Sequence, residues 1–183
     1  MFGSAYARQH TEAGIEKRIW LSSFGHIDAI ARGGYTWNRL PFPLLILPNT
    51  NQSAIIQPEA FAMMRAMEFV SDQYISLFLT YYMKGWLLNH IPLVKWLRLR
   101  EVVSLNGIYG SLSDKNNPMK HPNGLFLLPE ETVPFGKTPY LEASAGLENI
   151  FKIIRIDYYR RLTYLNAPHI KKGGLRIGFR FSF

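Results

Sequence analysis

His26-Ile-Asp-Ala-Ile-Ala-Arg-Gly-Gly-Tyr-Thr-Trp-Asn38 alternates in chemistry at every second residue. Ile27, Ala29, Ala31, Gly33, Tyr35 and Trp37 fall on one side; His26, Asp28, Arg32, Thr36 and Asn38 fall on the other. A period of two is the mark of a β-strand with two unlike faces. Working outward, the same reading applies to residues 12–21, 66–84, 98–112, 140–150, 154–164 and 175–183. In 154–164, Ile154, Ile156, Tyr158, Leu162 and Tyr164 oppose Arg155, Asp157, Tyr159, Arg161 and Thr163. In 175–183, Leu175, Ile177, Phe179, Phe181 and Phe183 oppose Arg176, Gly178, Arg180 and Ser182.

Most of these segments reach ten residues or more, against about 5–6 for an ordinary globular strand and about 9–11 for one that crosses a membrane. Their polar faces carry Arg18, Arg32, Lys84, Arg98, Arg100, Arg155, Arg161, Arg176 and Arg180. The acids there are Glu12, Glu16, Asp28, Glu68, Asp72, Glu142, Glu148 and Asp157. The apolar faces carry three charges, Lys17, Glu101 and Arg160. A near-balanced, Arg-rich face suits the wet interior of a barrel, where cross-strand pairs satisfy the charges. An ordinary antiparallel sheet with one solvated face shows the same alternation. Length and loop pattern favour the barrel: tight connections at 22–25 and 151–153 alternate with long ones at 39–65, 113–139 and 165–173. The connection at 85–97 is the exception; Trp86, Leu87, Leu88, Ile91, Leu93, Val94 and Trp96 suggest a short amphipathic turn of helix at an interface. The segment 113–139 reads as a solvated loop.

Composition agrees and excludes alternatives. In 183 residues there are 26 aromatics (4 Trp, 10 Tyr, 12 Phe) and no Cys, with 48% hydrophobic residues. Disorder, a disulfide framework and a thiol nucleophile are excluded. So is a spanning helix: the strongest uncharged apolar stretch, Gln73 to Met83, has eleven residues where about 18 are needed. The net charge of +8 is not gathered into a stripe on any helix, so no nucleic acid is expected as partner.

Tyr140-Leu-Glu-Ala-Ser-Ala-Gly-Leu-Glu-Asn-Ile-Phe151, Ile154-Arg-Ile-Asp-Tyr-Tyr-Arg-Arg-Leu-Thr-Tyr164 and Gly174-Leu-Arg-Ile-Gly-Phe-Arg-Phe-Ser-Phe183 resemble the last three strands of surface-antigen barrels, the superfamily of outer-membrane assembly factors. Leu40-Pro-Phe-Pro-Leu-Leu-Ile-Leu-Pro-Asn49, Met67-Glu-Phe-Val-Ser-Asp-Gln-Tyr74 and Tyr109-Gly-Ser-Leu-Ser-Asp-Lys-Asn-Asn-Pro118 resemble, more closely, a family of uncharacterised Bacteroidota outer-membrane barrels that often carry an N-terminal carboxypeptidase-regulatory-like domain. The resemblance implies an outer-membrane location and an antiparallel transmembrane β-barrel of about sixteen strands, of which this chain supplies the last seven. It places the loop 40–65 in the barrel lumen. The Val-Arg-Gly-aromatic motif of assembly factors is absent from that loop, and Arg32-Gly33-Gly34-Tyr35 lies in a strand instead, so the resemblance carries architecture and location rather than a reaction.

Several expectations follow from this reading. Residues 1–183 form one C-terminal portion of a barrel domain and no second domain. An odd strand count, open sheet edges in lipid and an N-terminus without a signal peptide mark a fragment. Arg155, Asp157, Arg161, Arg176, Arg180, Glu142 and Glu148 form a charge network in the lumen, pairing across strands. Phe179, Phe181 and Phe183 form a terminal-strand assembly signal acting by strand addition. Partners are outer-membrane lipid, the outer-membrane assembly machinery and the remaining barrel strands. No catalytic residue, cofactor or metal is expected. His10, His26, His90, His121 and His169 have no metal-ligand spacing, and there is no nucleophile elbow or phosphate loop. The role expected is structural, in transport or in assembly. A barrel enzyme acting on lipid or peptide, with His26 and Asp28 as its candidate groups, and a soluble β-rich binding domain are the alternatives.

Overall fold

In a computed structural model, which describes residues 7–121 and 125–179, seven long strands form one sheet. They are β1 (His10–Trp20), β2 (His26–Thr36), β3 (Gln73–Met83), β4 (Arg100–Ser111), β5 (Tyr140–Ile150), β6 (Ile154–Arg161) and β7 (Gly173–Phe179). Each pairs antiparallel with the next in chain order. The sole α-helical element among the described residues is a single turn, Pro92–Lys95. β1 and β7 do not pair with each other, so the sheet is open. Arg180, Phe181 and Phe183 lie outside the described residues.

Most strand limits follow the alternation closely, and β5 matches it at both ends. β3 differs. It starts at Gln73 rather than near residue 66; Phe69–Val70 pairs instead with Val133–Pro134, and Glu68 turns to Arg161 of β6. Two of the three connections at one end of the sheet are tight, the one between β3 and β4 being long. Between β1 and β2, Gly25 has φ 106°, and a Cβ there would stand 1.9 Å from the Tyr82 carbonyl oxygen. Only glycine tolerates both the dihedral and the approach.

The two faces differ as their chemistry demands, but in an unusual sense. The odd-numbered apolar side chains are exposed: Ile75 is 61% accessible, Leu175 62% and Phe179 64%. Val103, Leu105, Ile156 and Ile177 share that outer face and are exposed too. The opposite, inner face is polar yet buried from β4 to β6, where Asp157 and Glu142 are 0% accessible and Arg161 is 1%, while β1 is exposed on both faces.

What covers the inner face is the chain between β2 and β3. Phe61, Met64 and Phe69 from this connection pack on Phe78, Ile108 and Tyr140 of the sheet. Full burial of each such side chain contributes about 1.5–3 kcal/mol, enough to hold a long connection against its ordering entropy only when several act together. Leu40, Leu45 and Val70 form a second cluster. The segment 113–139 is not wholly solvated as its composition suggests. Phe135 enters the main cluster, Asn116 is buried, and Val133–Pro134 pairs parallel with Phe69–Val70. The same β2–β3 connection also reaches the outer edge of β7: Ile177 N–H donates to the Ala54 carbonyl and Ile56 N–H to the Ile177 carbonyl, both at 2.8 Å.

The charges on the outer face have separate explanations. Glu101 is covered by the β3–β4 connection and accepts the Leu88 N–H at 2.5 Å. Arg160 is exposed and second from the end of β6. The register shift in the β5–β6 pair lies at Leu147/Ile150, too far away to change the side on which Arg160 points.

Candidate functional site

The inner face carries three polar clusters, two of which use strand residues to hold connection residues. In the first, Glu142 projects inward from β5. Its carboxylate accepts the backbone N–H groups of Ala62 and Met63, each at 2.9 Å, the Tyr140 hydroxyl at 3.0 Å and the Asn106 amide at 3.3 Å. Every neighbour is a donor, which suits an ionised carboxylate. Arg176 of β7 donates to the Ala62 carbonyl at 2.7 Å, fixing the same peptide from the other side.

In the second, Arg161 at the end of β6 grips Glu68 with two nitrogens, at 3.0 and 2.7 Å. Its Nε donates to the Thr163 carbonyl at 2.9 Å, and the guanidinium stands 4.9 Å from the Tyr140 ring centroid. The Arg65 N–H also donates to Glu68, at 2.9 Å. Nearby, Asp72 accepts the Ser113 hydroxyl and N–H and the Asn116 amide, while the Asn116 oxygen accepts the Leu40 N–H at 2.8 Å. Asp72 and Asn116 thereby tie the two long connections together.

The third cluster lies towards the turn end. Arg155 pairs with Asp157, two residues on in the same strand, at 2.5–3.1 Å, and donates to the Tyr82 hydroxyl at 3.1 Å. Tyr82 stacks on His26, with centroids 4.8 Å apart, and His26 lies 5.0 Å from Trp20. Arg18 holds Asp28 with two bonds of 2.6 and 2.8 Å. Tyr82, Arg155, Tyr159 and Pro58 line a cavity of about 360 Å³ between sheet and connection.

The pairing differs from simple cross-strand ion pairs. Of the expected members, Arg155 and Asp157 do meet, but within one strand. Arg161 and Glu142 are turned to the connection. Glu148 does keep a cross-strand partner, Arg100 of β4, at 4.0 Å, while Arg176 meets a carbonyl. The reason is geometric: the covering segment presents unpaired backbone donors and its own Glu68, and these reach the inner face more closely than neighbouring strands do. Glu68 and Asp72 act from the connection, not from a strand. Phe179 is exposed on the outer face at the end of β7.

Arg32 of β2 pairs with Glu59 of the connection. That hydrogen bond, ahead of charge attraction, holds the Glu59 carboxyl below its ordinary 4.5. A depressed carboxyl stabilises the folded state fully above the ordinary value, and the contribution is lost as pH falls through the depressed one. The pair is partly exposed, so it is worth at most about 1 kcal/mol. Limited proteolysis of the β2–β3 connection should therefore accelerate modestly as pH drops below 4.5, and Glu59→Gln should remove that acceleration.

His26 Nε2 stands 3.9 Å from Asp28, and Arg18 engages the carboxylate. No group of three metal-binding side chains occurs among the described residues. The geometry instead describes an open antiparallel meander whose polar face is sealed by its own inward-folded connection.

This all-β chain belongs to a family of unknown function, DUF5686, whose C-terminal domain model matches residues 1–116. The match takes in β1 to β4 and the connection that covers the inner face. No curated protein and no solved structure matches the chain.

Proposed function

We propose that this chain forms seven strands of an outer-membrane β-barrel of surface-antigen type, with the apolar face towards lipid and the β2–β3 connection filling the lumen. One observation carries the reading: the exposed face is apolar and the buried face is charged, the reverse of a water-soluble sheet. Strand length agrees. Eleven residues at about 3.3 Å each, tilted by about 45°, give roughly 26 Å, close to the apolar band of such barrels. The role is structural, in transport or in assembly, and no reaction is assigned. Backbone groups left unpaired on an open edge in lipid cost several kcal/mol each, so further strands pair with the outer edge of β1 and with the part of β7 not already bonded to Ala54 and Ile56. Leu175, Ile177 and Phe179, exposed in alternation on β7, support this strand as the one offered to the outer-membrane assembly machinery, with the aromatic run 179–183 as its signal. The distant kinship to assembly factors, the Bacteroidota origin and a carboxypeptidase-regulatory-like N-terminal domain belong to the same proposal.

Arginine substitution on the outer face separates this reading from a soluble binding domain. Leu105, at the centre of β4, is 43% accessible, and Ile156 is 36%. At such positions a soluble sheet accepts Arg within about 0.5 kcal/mol. On a lipid face Arg costs roughly 2–4 kcal/mol at the midplane. Leu105→Arg should thus abolish or sharply reduce the heat-modifiable, folded band of the protein in bilayers, with Ile156→Arg intermediate. Wild-type solubility without detergent, with both variants as stable as wild type, would favour the soluble alternative.

A further inference from the structure

We propose that the cleft at the turn end of the sheet binds the phosphate-bearing headgroup of an anionic phospholipid in the adjacent leaflet. The proposal rests on the membrane reading above. The cleft measures about 1070 Å³ and is built from two connections that are distant in sequence. The β3–β4 connection supplies Lys95, Trp96 and Arg98 and leads into Arg100; the β5–β6 turn supplies Phe151 and Lys152. The Asn149 amide donates to the Arg98 carbonyl at 2.7 Å and clamps the two together. The space is therefore built by the fold before any ligand arrives.

Its chemistry is specific in two respects. The first is charge. Five cations line the cleft, Lys84, Lys95, Arg98, Arg100 and Lys152, and the acid beside them, Glu148, is buried and 4.0 Å from Arg100. Among the described residues no carboxylate forms a salt bridge with Lys95, Arg98 or Lys152. Arginine matches phosphate oxygens with paired donors, and lysine adds a point charge. The second is apolar surface. Trp96 is 89% accessible and Phe151 86%, the two most exposed large apolar side chains described. A soluble anion has no use for them. A lipid does: tryptophan sits at headgroup level and phenylalanine at the acyl boundary. Beside them Leu97 and Ile153 are exposed as well, extending the apolar surface around the cations.

The test uses full-length protein folded in non-ionic detergent micelles doped with equal phosphatidylglycerol and phosphatidylcholine. Lipid retained after gel filtration is extracted and quantified. Phosphatidylglycerol should be enriched. Each Lys or Arg near an anionic surface is good for about a fivefold effect, so K95Q/R98Q/K152Q should return the ratio to that of the micelle, while K152Q alone, an exposed change, should lower it about fivefold. Unchanged enrichment in the triple variant would overturn the proposal. Displacement of the lipid by inorganic phosphate would overturn the lipid assignment in favour of a simple anion site. Heat-modifiable migration of the wild type is scored in parallel: its absence defeats the membrane reading, whereas its presence with equal retention of both lipids defeats the headgroup site alone.

Discussion

Arg161→Met should destabilise the folded protein by about 3–5 kcal/mol, the usual cost of removing one partner from a buried ion pair. Arg161 is 1% accessible and Glu68 3%. Without the guanidinium, Glu68 keeps the Arg65 N–H as its hydrogen-bond donor and loses its charge partner at a site closed to water. The Thr163 carbonyl loses its donor as well. The damage should be largely reversed by adding Glu68→Met, because two apolar side chains of similar volume remove the unpaired charge altogether. Urea unfolding of the single and double variants in the same detergent measures both effects. A double variant as unstable as Arg161→Met would mean that the guanidinium acts through Tyr140 and the backbone rather than through Glu68. The comparison also separates folding from function: the double variant should keep the connection in place, since the hydrophobic cluster of Phe61, Met64 and Phe69 is untouched.

Glu142→Gln should be nearly as harmful as Glu142→Ala, at about 3–4 kcal/mol, although the two residues are almost the same shape. The carboxylate is surrounded by donors alone: two backbone N–H groups, a tyrosine hydroxyl and an asparagine amide. A glutamine amide turns one acceptor into a donor that faces other donors. Hydrogen bonds to a charged group contribute about 1.5–3 kcal/mol each, and every buried donor left without an acceptor costs about 1–3 kcal/mol. Hydrogen exchange gives the local reading. The amides of Ala62 and Met63 should be protected in the wild type and exchange faster in both variants, with smaller changes at the centre of β4. Glutamine that preserved protection at Ala62 would show that shape, not charge, holds the connection.

The sequence by itself determined the seven strands, their long reach and the chemistry of their two faces. Alternation is a local property, and the residue at position i+2 must share a face with residue i whatever the rest of the chain does. Thus Leu141, Ala143 and Leu147 could be set against Glu142 and Glu148, and Ile156 and Tyr158 against Arg155 and Asp157, before any pairing was known. Only the tertiary structure decided what lies against the polar face. Arg161 meets Glu68 across 93 residues, and Glu142 meets the backbone of Ala62 and Met63 across 80 and 79. A backbone N–H carries no sequence signal, because nearly every residue has one. The late start of β3 is likewise tertiary: residues 66–72 alternate well enough for a strand, but Phe69–Val70 pairs with Val133–Pro134 instead of with β2 and β4, and the side chains of Glu68 and Asp72 meet Arg161 and Asn116.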